Sequence, residues 1–214
     1  MEDNYRHKGL RKALIKQLQE KGIRDEQVLA AMMSVPRHFF FDPIFVEQAY
    51  QDKAFPIGEG QTISQPYTVA FQTALLKLKP GEKVFEVGTG SGYQACILLE
   101  LKVDVYSIEF NKNLYQKTMR FLPTINYHPH LYCGDGSQGL PLQAPFDKIL
   151  VTAGAPDISQ ELMDQLKIGG ILVIPVGGRE KQKMIRLTKL AINDFKKEEF
   201  DFFSFVPLLG KHGW

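Results

Sequence analysis

Cysteine is scarce in this chain, with two among 214 residues. Cys96 and Cys133 have no metal-ligand spacing and read as small buried residues of a reducing cytosol, which excludes a disulfide-stapled architecture. The five histidines form no cluster along the sequence, so no metal is expected. An excess of charge of one sign is also lacking, since 26 Lys and Arg face 24 Asp and Glu. That balance gives no pull toward nucleic acid or a membrane surface, and the lysines near 179–183 and 196–197 read as solvated turns. No apolar run approaches the ~20 residues of a membrane span. The first 20 residues are polar and charged, so no secretion signal is expected. Repeats and low-complexity stretches are missing too. A chain of 214 residues suffices for one domain with a full core, and we expect it to be cytoplasmic and monomeric.

What is present centres on Val84–Tyr93, VFEVGTGSGY. Val84 to Val87 suits a short buried strand of a parallel sheet, Gly88, Gly90 and Gly92 form a loop, and the apolar run from Tyr93 to Leu101 reads as a helix. Strand, glycine loop and helix in that order let a ligand approach bare backbone at a helix N-terminus. The spacing is GxGxG rather than the dinucleotide GxGxxG. Glu86, just before the loop, suits a positively charged ligand better than a pyrophosphate. A second strand over Val103–Ile108 ends at Glu109, 21 residues beyond Gly88, where a carboxylate can accept from two ribose hydroxyls. A third, His130–Cys133, runs into Gly134-Asp135-Gly136, where the acid can take the exocyclic amine of adenine. Each feature alone could be a tight turn or a helix cap; three in succession favour a nucleoside ligand.

The N-terminal third differs in kind. Leu10, Ala13, Leu14 and Leu18 mark one helix face, closed by Gly22 with Ile23 packing back. Asp25 caps a second helix with Val28, Leu29, Met32 and Met33 inside, ended by Pro36. Phe39, Phe40, Phe41 and Phe45 read as core packing between this cap and the main domain. Gly58–Tyr67, GEGQTISQPY, then forms a loop before a helix that carries Val69, Ala70, Thr73, Ala74 and Leu76 on its face. Ser64 suits an N-cap there, with Pro66 in the first turn, yet the loop is more elaborate than a cap requires. Farther on, Lys148–Thr152 reads as a strand closing in Ala153-Gly154-Ala155-Pro156, Ser159–Lys167 as a helix and Ile171–Val176 as a strand. Residues 183–190 alternate like a half-exposed strand, and Phe200–Val206 is a last strand, implying an antiparallel edge.

Taken together, VFEVGTGSGY, the Glu109 position, GDG and LKIGGILVIPV resemble a Rossmann-type S-adenosylmethionine-dependent methyltransferase. GQTISQPY, VTAGAP and FVPL resemble one family of these, protein-L-isoaspartate (D-aspartate) O-methyltransferase, over nearly the whole chain to Leu208. The resemblance implies an α/β fold with a mostly parallel sheet, an antiparallel C-terminal edge and an N-terminal helical cap, 1–57 on a core of 58–214. It implies methyl transfer from S-adenosyl-L-methionine to the free α-carboxyl of isoaspartyl residues in damaged proteins, leaving S-adenosyl-L-homocysteine. The ester then closes to a succinimide that reopens in part as aspartate.

By the same resemblance Ser64 is the active-site residue. Thr62 and Ile63 lie between cofactor and substrate, Glu86, Gly88, Gly90 and Gly92 hold the methionine part, and Glu109 the ribose. Asp135 with Gly136 takes the adenine. Ala153, Ala155, Val206, Pro207 and Leu208 line the peptide side, and no role is carried to the tail LGKHGW. A small-molecule methyltransferase, a nicotinamide-dependent oxidoreductase and a non-catalytic adenosine-binding regulator are the competing readings.

Overall fold

The computed structural model describes residues 2–214. Its sequence of elements begins with α1 (Tyr5–Glu20) and α2 (Glu26–Ser34). Asn4 caps α1 by accepting from the His7 N–H, and Asp25 caps α2 by accepting from the Gln27 and Val28 N–H groups. Gly22, at φ +98°, turns the chain so that the Ile23 N–H reaches the Leu18 carbonyl, and Ile23 packs back as its sequence suggests. The inner face of α1 differs from the sequence reading. Ala13 is exposed, and Arg11 is buried in its place because its guanidinium binds both carboxylate oxygens of Asp3 and the Tyr50 hydroxyl. Met33 is only half-buried, and Phe45 points outward while Phe40 and Phe41 enter the core.

The histidine reading also needs correction, because folding does what sequence spacing does not. His7 and His38 stack with ring centroids 3.8 Å apart, and Asp3 lies within 4.8 Å of both. Burial, reinforced by the neighbouring His7, pushes the His38 imidazole below its ordinary value.

A hairpin of β1 (Phe55–Gly58) and β2 (Gln61–Ile63) leads into α3 (Pro66–Leu76). The 57/58 boundary thus falls inside a strand, and the polar segment read as a loop is half hairpin. The main sheet follows: β3 (Lys83–Val87), α4 (Tyr93–Glu100), β4 (Asp104–Glu109), α5 (Lys112–Phe121), β5 (His130–Cys133), β6 (Phe146–Val151), α6 (Gln160–Asp164), β7 (Leu166–Gly177), β8 (Gln182–Ala191) and β9 (Asp194–Phe203). Its strand order is β5-β4-β3-β6-β7-β8-β9, parallel through β7 and antiparallel beyond.

β3 is central, with Val84 paired to Val105 on one side and Lys148 on the other. Val84, Phe85 and Val87 are buried, as a strand covered on both faces requires. From β3 the chain winds outward to β5 and then returns to β6, so the order reverses between β3 and β6. Such a reversal opens a crevice at the carboxyl ends of the strands.

The C-terminal half departs most from the sequence reading. The helix expected to reach Lys167 stops at Asp164, because Leu166 is already in the sheet opposite Phe146. β8 alternates as read from Ile185 to Leu190, but Met184, on the face opposite Ile185, is buried as well, since the sheet is covered on both sides there. The last strand starts at Asp194 rather than Phe200 and ends at Phe203, because it pairs with β8 as a hairpin. Cys133, at the end of β5, is exposed, while Cys96 is buried in α4.

Candidate active site

The start of α3 places Ser64. Its N-cap position is Gln65, which makes no side-chain cap bond, and the first turn is held from outside: Asp52 accepts from the Tyr67 N–H at 2.8 Å. The other oxygen of Asp52 takes Gln65 Nε2 at 3.2 Å and Lys21 Nζ at 2.6 Å. The capping role that the sequence allows Ser64 therefore belongs to Asp52. Ser64 lies half-buried with its carbonyl taken by Arg37 Nη2 at 2.8 Å.

Opposite stands the glycine loop. Gly88 sits at φ +101°, and a Cβ there would come 2.5 Å from Thr152 Oγ1, so this turn tolerates no side chain. Thr152 holds the loop by donating toward the Val87 and Gly88 carbonyls at 2.9 and 2.7 Å. Gly92 does not line the cleft; its bare Cα lets Leu122 and Thr118 pack against the start of α4.

Glu109 closes β4 and folds over the same loop. Its Oε2 accepts from the Gly90 N–H and its Oε1 from the Asn111 N–H, each at 2.8 Å. A carboxylate has about four acceptor positions, so two remain for a ligand's hydroxyls.

Asp135 is placed differently from the expectation of a free acceptor. Its carboxylate takes the Ser137 N–H and hydroxyl, Gln138 Nε2 and the Lys211 N–H of the C-terminal tail. Burial alone would raise its carboxyl, but these donors hold it below the usual carboxylate range. Gly136, not Asp135, lines the cleft. The tail is further anchored by the Trp214 indole N–H on the Gly154 carbonyl at 3.2 Å, by His212 Nε2 against Glu161 at 2.7 Å and by the His212 N–H on the Ser137 hydroxyl at 3.1 Å.

Two clefts meet at this place. The first is walled by Thr62, Ile63, Gly88, Gly90, Glu109 and Gly136, with Ala153 and Val206, Pro207 and Leu208 across from them. The second is walled by Tyr67, Lys181 and Phe202 to Phe205. Thr62, Ser64, Thr152 and Val206 belong to both. Ala155 is buried behind the shared wall, its N–H on the Pro175 carbonyl. Sequence reading missed Thr152, Lys181 and the aromatic run of the second cleft; only the alternation of Phe residues near the C-terminus hints at the last.

Glu86 also lies off the cleft surface, fully buried beneath the loop. Its Oε2 accepts from Ser107 at 2.5 Å, Ser107 meets Thr89 at 2.6 Å, and Oε1 has no partner among the described residues. Burial, opposed by the Ser107 hydroxyl and reinforced by Glu109, pushes its carboxyl from 4.5 up to about 8. In that window the folded protein keeps a proton the unfolded chain has lost, so this contribution to stability is full at low pH and disappears as pH rises through about 8. Glu86→Gln is expected to flatten the decline in unfolding free energy between about pH 5 and about pH 8, by on the order of 2–4 kcal/mol at about 1.4 kcal/mol per unit. Denaturant melts of both proteins across that range check it; parallel profiles would mean that Glu86 is ionised throughout.

Known proteins resemble this chain in sequence and fold. A family profile for protein-L-isoaspartate(D-aspartate) O-methyltransferase (PCMT) matches residues 9–213. The chain is 60% identical over 214 residues to the protein-L-isoaspartate O-methyltransferase of Cytophaga hutchinsonii, covering all of this chain and 97% of that one. It is 55% identical over 210 residues to the enzyme of the same name from Christiangramia forsetii, covering 98% of each. Among solved structures, one named protein-L-isoaspartate O-methyltransferase superposes with a TM-score of 0.82 at 26% identity, over 94% of this chain and 66% of that one. Another, named for the same activity, from Plasmodium falciparum and in complex with S-adenosyl-L-homocysteine, gives 0.79 at 27% identity, over 93% and 98%. Matches of this extent leave the nicotinamide-dependent and small-molecule readings without support, and the chain belongs to the protein-L-isoaspartate (D-aspartate) O-methyltransferase family.

Proposed function

We propose that the protein transfers the methyl group of S-adenosyl-L-methionine to the free α-carboxyl of L-isoaspartyl residues in damaged proteins and peptides, releasing S-adenosyl-L-homocysteine. The observation that carries this reading is the position of Ser64, shared by both clefts and lying just before a helix whose first turn Asp52 caps. The first cleft fits the cofactor: backbone is bare at Gly88, and Glu109 keeps acceptor capacity beyond its two backbone bonds.

When bound, S-adenosyl-L-methionine supplies an electrophilic methyl group on a sulfonium. The chain's own residues then have a positioning task. Glu109 takes the ribose hydroxyls, Gly88 and Gly90 border the methionine part with Thr62 and Ile63, and Gly136 borders the adenine. Asp135 acts from behind, fixing the Gly136 segment to the tail; Glu86 and Gly92 support the loop from beneath. Ser64 orients the substrate carboxylate. Ala153 and Val206–Leu208 face the peptide, backed by Ala155.

A peptide carboxylate with a pKa near ~4 is already ionised at neutral pH, so no general base is needed. One of its oxygens forms the bond to the methyl carbon while the carbon–sulfur bond breaks. Holding these atoms in line can supply roughly 7–11 kcal/mol. We read the chain as a single methyltransferase domain acting in the cytoplasm as a monomer on damaged proteins. Activity on D-aspartyl residues belongs to the same proposal as a second substrate.

A methyl-transfer assay with labelled S-adenosyl-L-methionine, on isoaspartyl and aspartyl versions of one peptide, tests it. Incorporation into the isoaspartyl peptide alone is expected; equal labelling of both, or of neither, would overturn the reading.

A further inference from the structure

Arg37 occupies a one-turn segment, Arg37–Phe40, directly after Pro36. Its side chain is fully buried. A guanidinium ionises so far above neutrality that it stays charged even where burial lowers its pKa, as it does here. Buried charges are ordinarily paired, yet no carboxylate lies within ion-pair distance of Arg37 among the described residues. Asp52 attracts it only from farther away and is itself engaged by Lys21.

Two backbone carbonyls share the guanidinium. Nε donates to Ala49 at 3.0 Å and Nη2 to Ser64 at 2.8 Å, while among the described residues Nη1 has no partner in hydrogen-bond geometry, the neutral Tyr93 hydroxyl being the group that most favours the charge. The cation lies against the ring of Tyr93, with 4.7 Å from Cζ to the centroid, and Tyr93 lines the first cleft. The charge therefore stands immediately behind the wall that carries Ser64.

Stapling two carbonyls does not by itself need a full, unpaired charge; neutral donors do that without desolvating an ion. A buried charge that neighbouring tyrosines and rings soften, but that no carboxylate among the described residues neutralises, is explained if the substrate's carboxylate completes it. We infer that Arg37 is a positioning residue that fixes the Ser64 turn through its carbonyl and provides the buried positive charge that selects an anionic carboxylate over a neutral group at Ser64. This inference rests on the proposed reading of Ser64 as the substrate-carboxylate position.

The test compares wild type, Arg37→Met, which keeps length without charge, and Arg37→Lys, which keeps charge without the fork. Each is assayed for methyl transfer to an isoaspartyl peptide. Each is also assayed for inhibition by the same peptide in which the free α-carboxyl is replaced by a carboxamide or, as a non-reactive acid, a sulfonate. Wild type is expected to favour the acid over the carboxamide by about tenfold or more, and Arg37→Met to lose most of that ratio while its peptide KM rises about tenfold. Its affinity for S-adenosyl-L-homocysteine should stay within about threefold, and Arg37→Lys should recover the preference for the acid.

A folded Arg37→Met with an undiminished ratio overturns the inference, as does an equal loss of peptide and S-adenosyl-L-homocysteine affinity. Should Arg37→Met fail to fold, a wild-type ratio near one, or an Arg37→Lys ratio near one, overturns it just as well. Failure of the underlying reading looks different: wild type would then not methylate the isoaspartyl peptide at all.

Discussion

Ser64→Ala is expected to lower kcat on an isoaspartyl peptide by tens-fold or more while leaving the thermal midpoint where it is. Two roles for this serine predict opposite pairs of results. A helix cap would cost ~1 kcal/mol on truncation and leave turnover intact in the folded fraction, which for a chain of this size lowers the midpoint by about 2–4 °C. The structure gives the capping bond to Asp52 instead, so the midpoint should not move. Losing a group that aims the carboxylate at the methyl should raise the barrier by ~2 kcal/mol or more. Affinity for S-adenosyl-L-homocysteine should change far less than kcat. Side-by-side kinetics, calorimetry and thermal melts give all three numbers, and a lowered midpoint with normal kcat would reduce Ser64 to a cap.

Glu109→Ala is expected to weaken cofactor binding by on the order of a hundredfold or more, since two charge-assisted hydrogen bonds of ~1.5–3 kcal/mol each are lost. The carboxylate also holds the Gly90 and Asn111 N–H groups, so alanine removes a loop support as well. Glu109→Gln removes half of each effect and should weaken binding less than alanine does. It keeps one acceptor oxygen for the backbone but turns the other position into a donor that no longer suits a neighbouring N–H. Calorimetric titration with S-adenosyl-L-homocysteine reads both variants; unchanged affinity in folded Glu109→Ala would put the ribose elsewhere.

Local pattern made half of this molecule readable. A strand that ends in three alternating glycines and runs into an apolar helix has few other folds, and β3, its loop and α4 stand where VFEVGTGSGY puts them. His130–Cys133 is a strand with the expected bounds for a similar reason, closed by a glycine-flanked acid. What could not be read depends on partners far away in sequence. Arg11 displaces Ala13 on the inner face of α1 because Tyr50, 39 residues on, accepts from it. His7 meets His38 only through folding. β9 begins at Asp194 among charged residues because β8 lies beside it, and no periodicity within Asp194–Glu199 announces a strand. The site follows the same division. Gly88, Gly90, Gly136 and Glu109 line the cleft where their spacing suggests, whereas Glu86, Gly92 and Asp135 lie behind it, and Thr152 on the wall with Asp52 and Arg37 behind it come from segments whose own sequence has another meaning.

Asp52 bears on how this family's sequences can drift. Because one carboxylate outside the segment supplies the start of α3, and draws Gln65 and Lys21 to it, the side chain at 64 carries no capping duty. Most mutations destabilise, and those that push a protein below its stability threshold are purged; side-chain substitutions at position 64 remove no capping bond and so add little to that load. At position 52 the pressures are reversed: the carboxylate touches neither cleft, yet its loss would untie the first turn of α3 from α1. On the proposed reading of Ser64, stability and chemistry rest on different residues 12 positions apart, so changes of side chain at 64 need no compensating stabilising change.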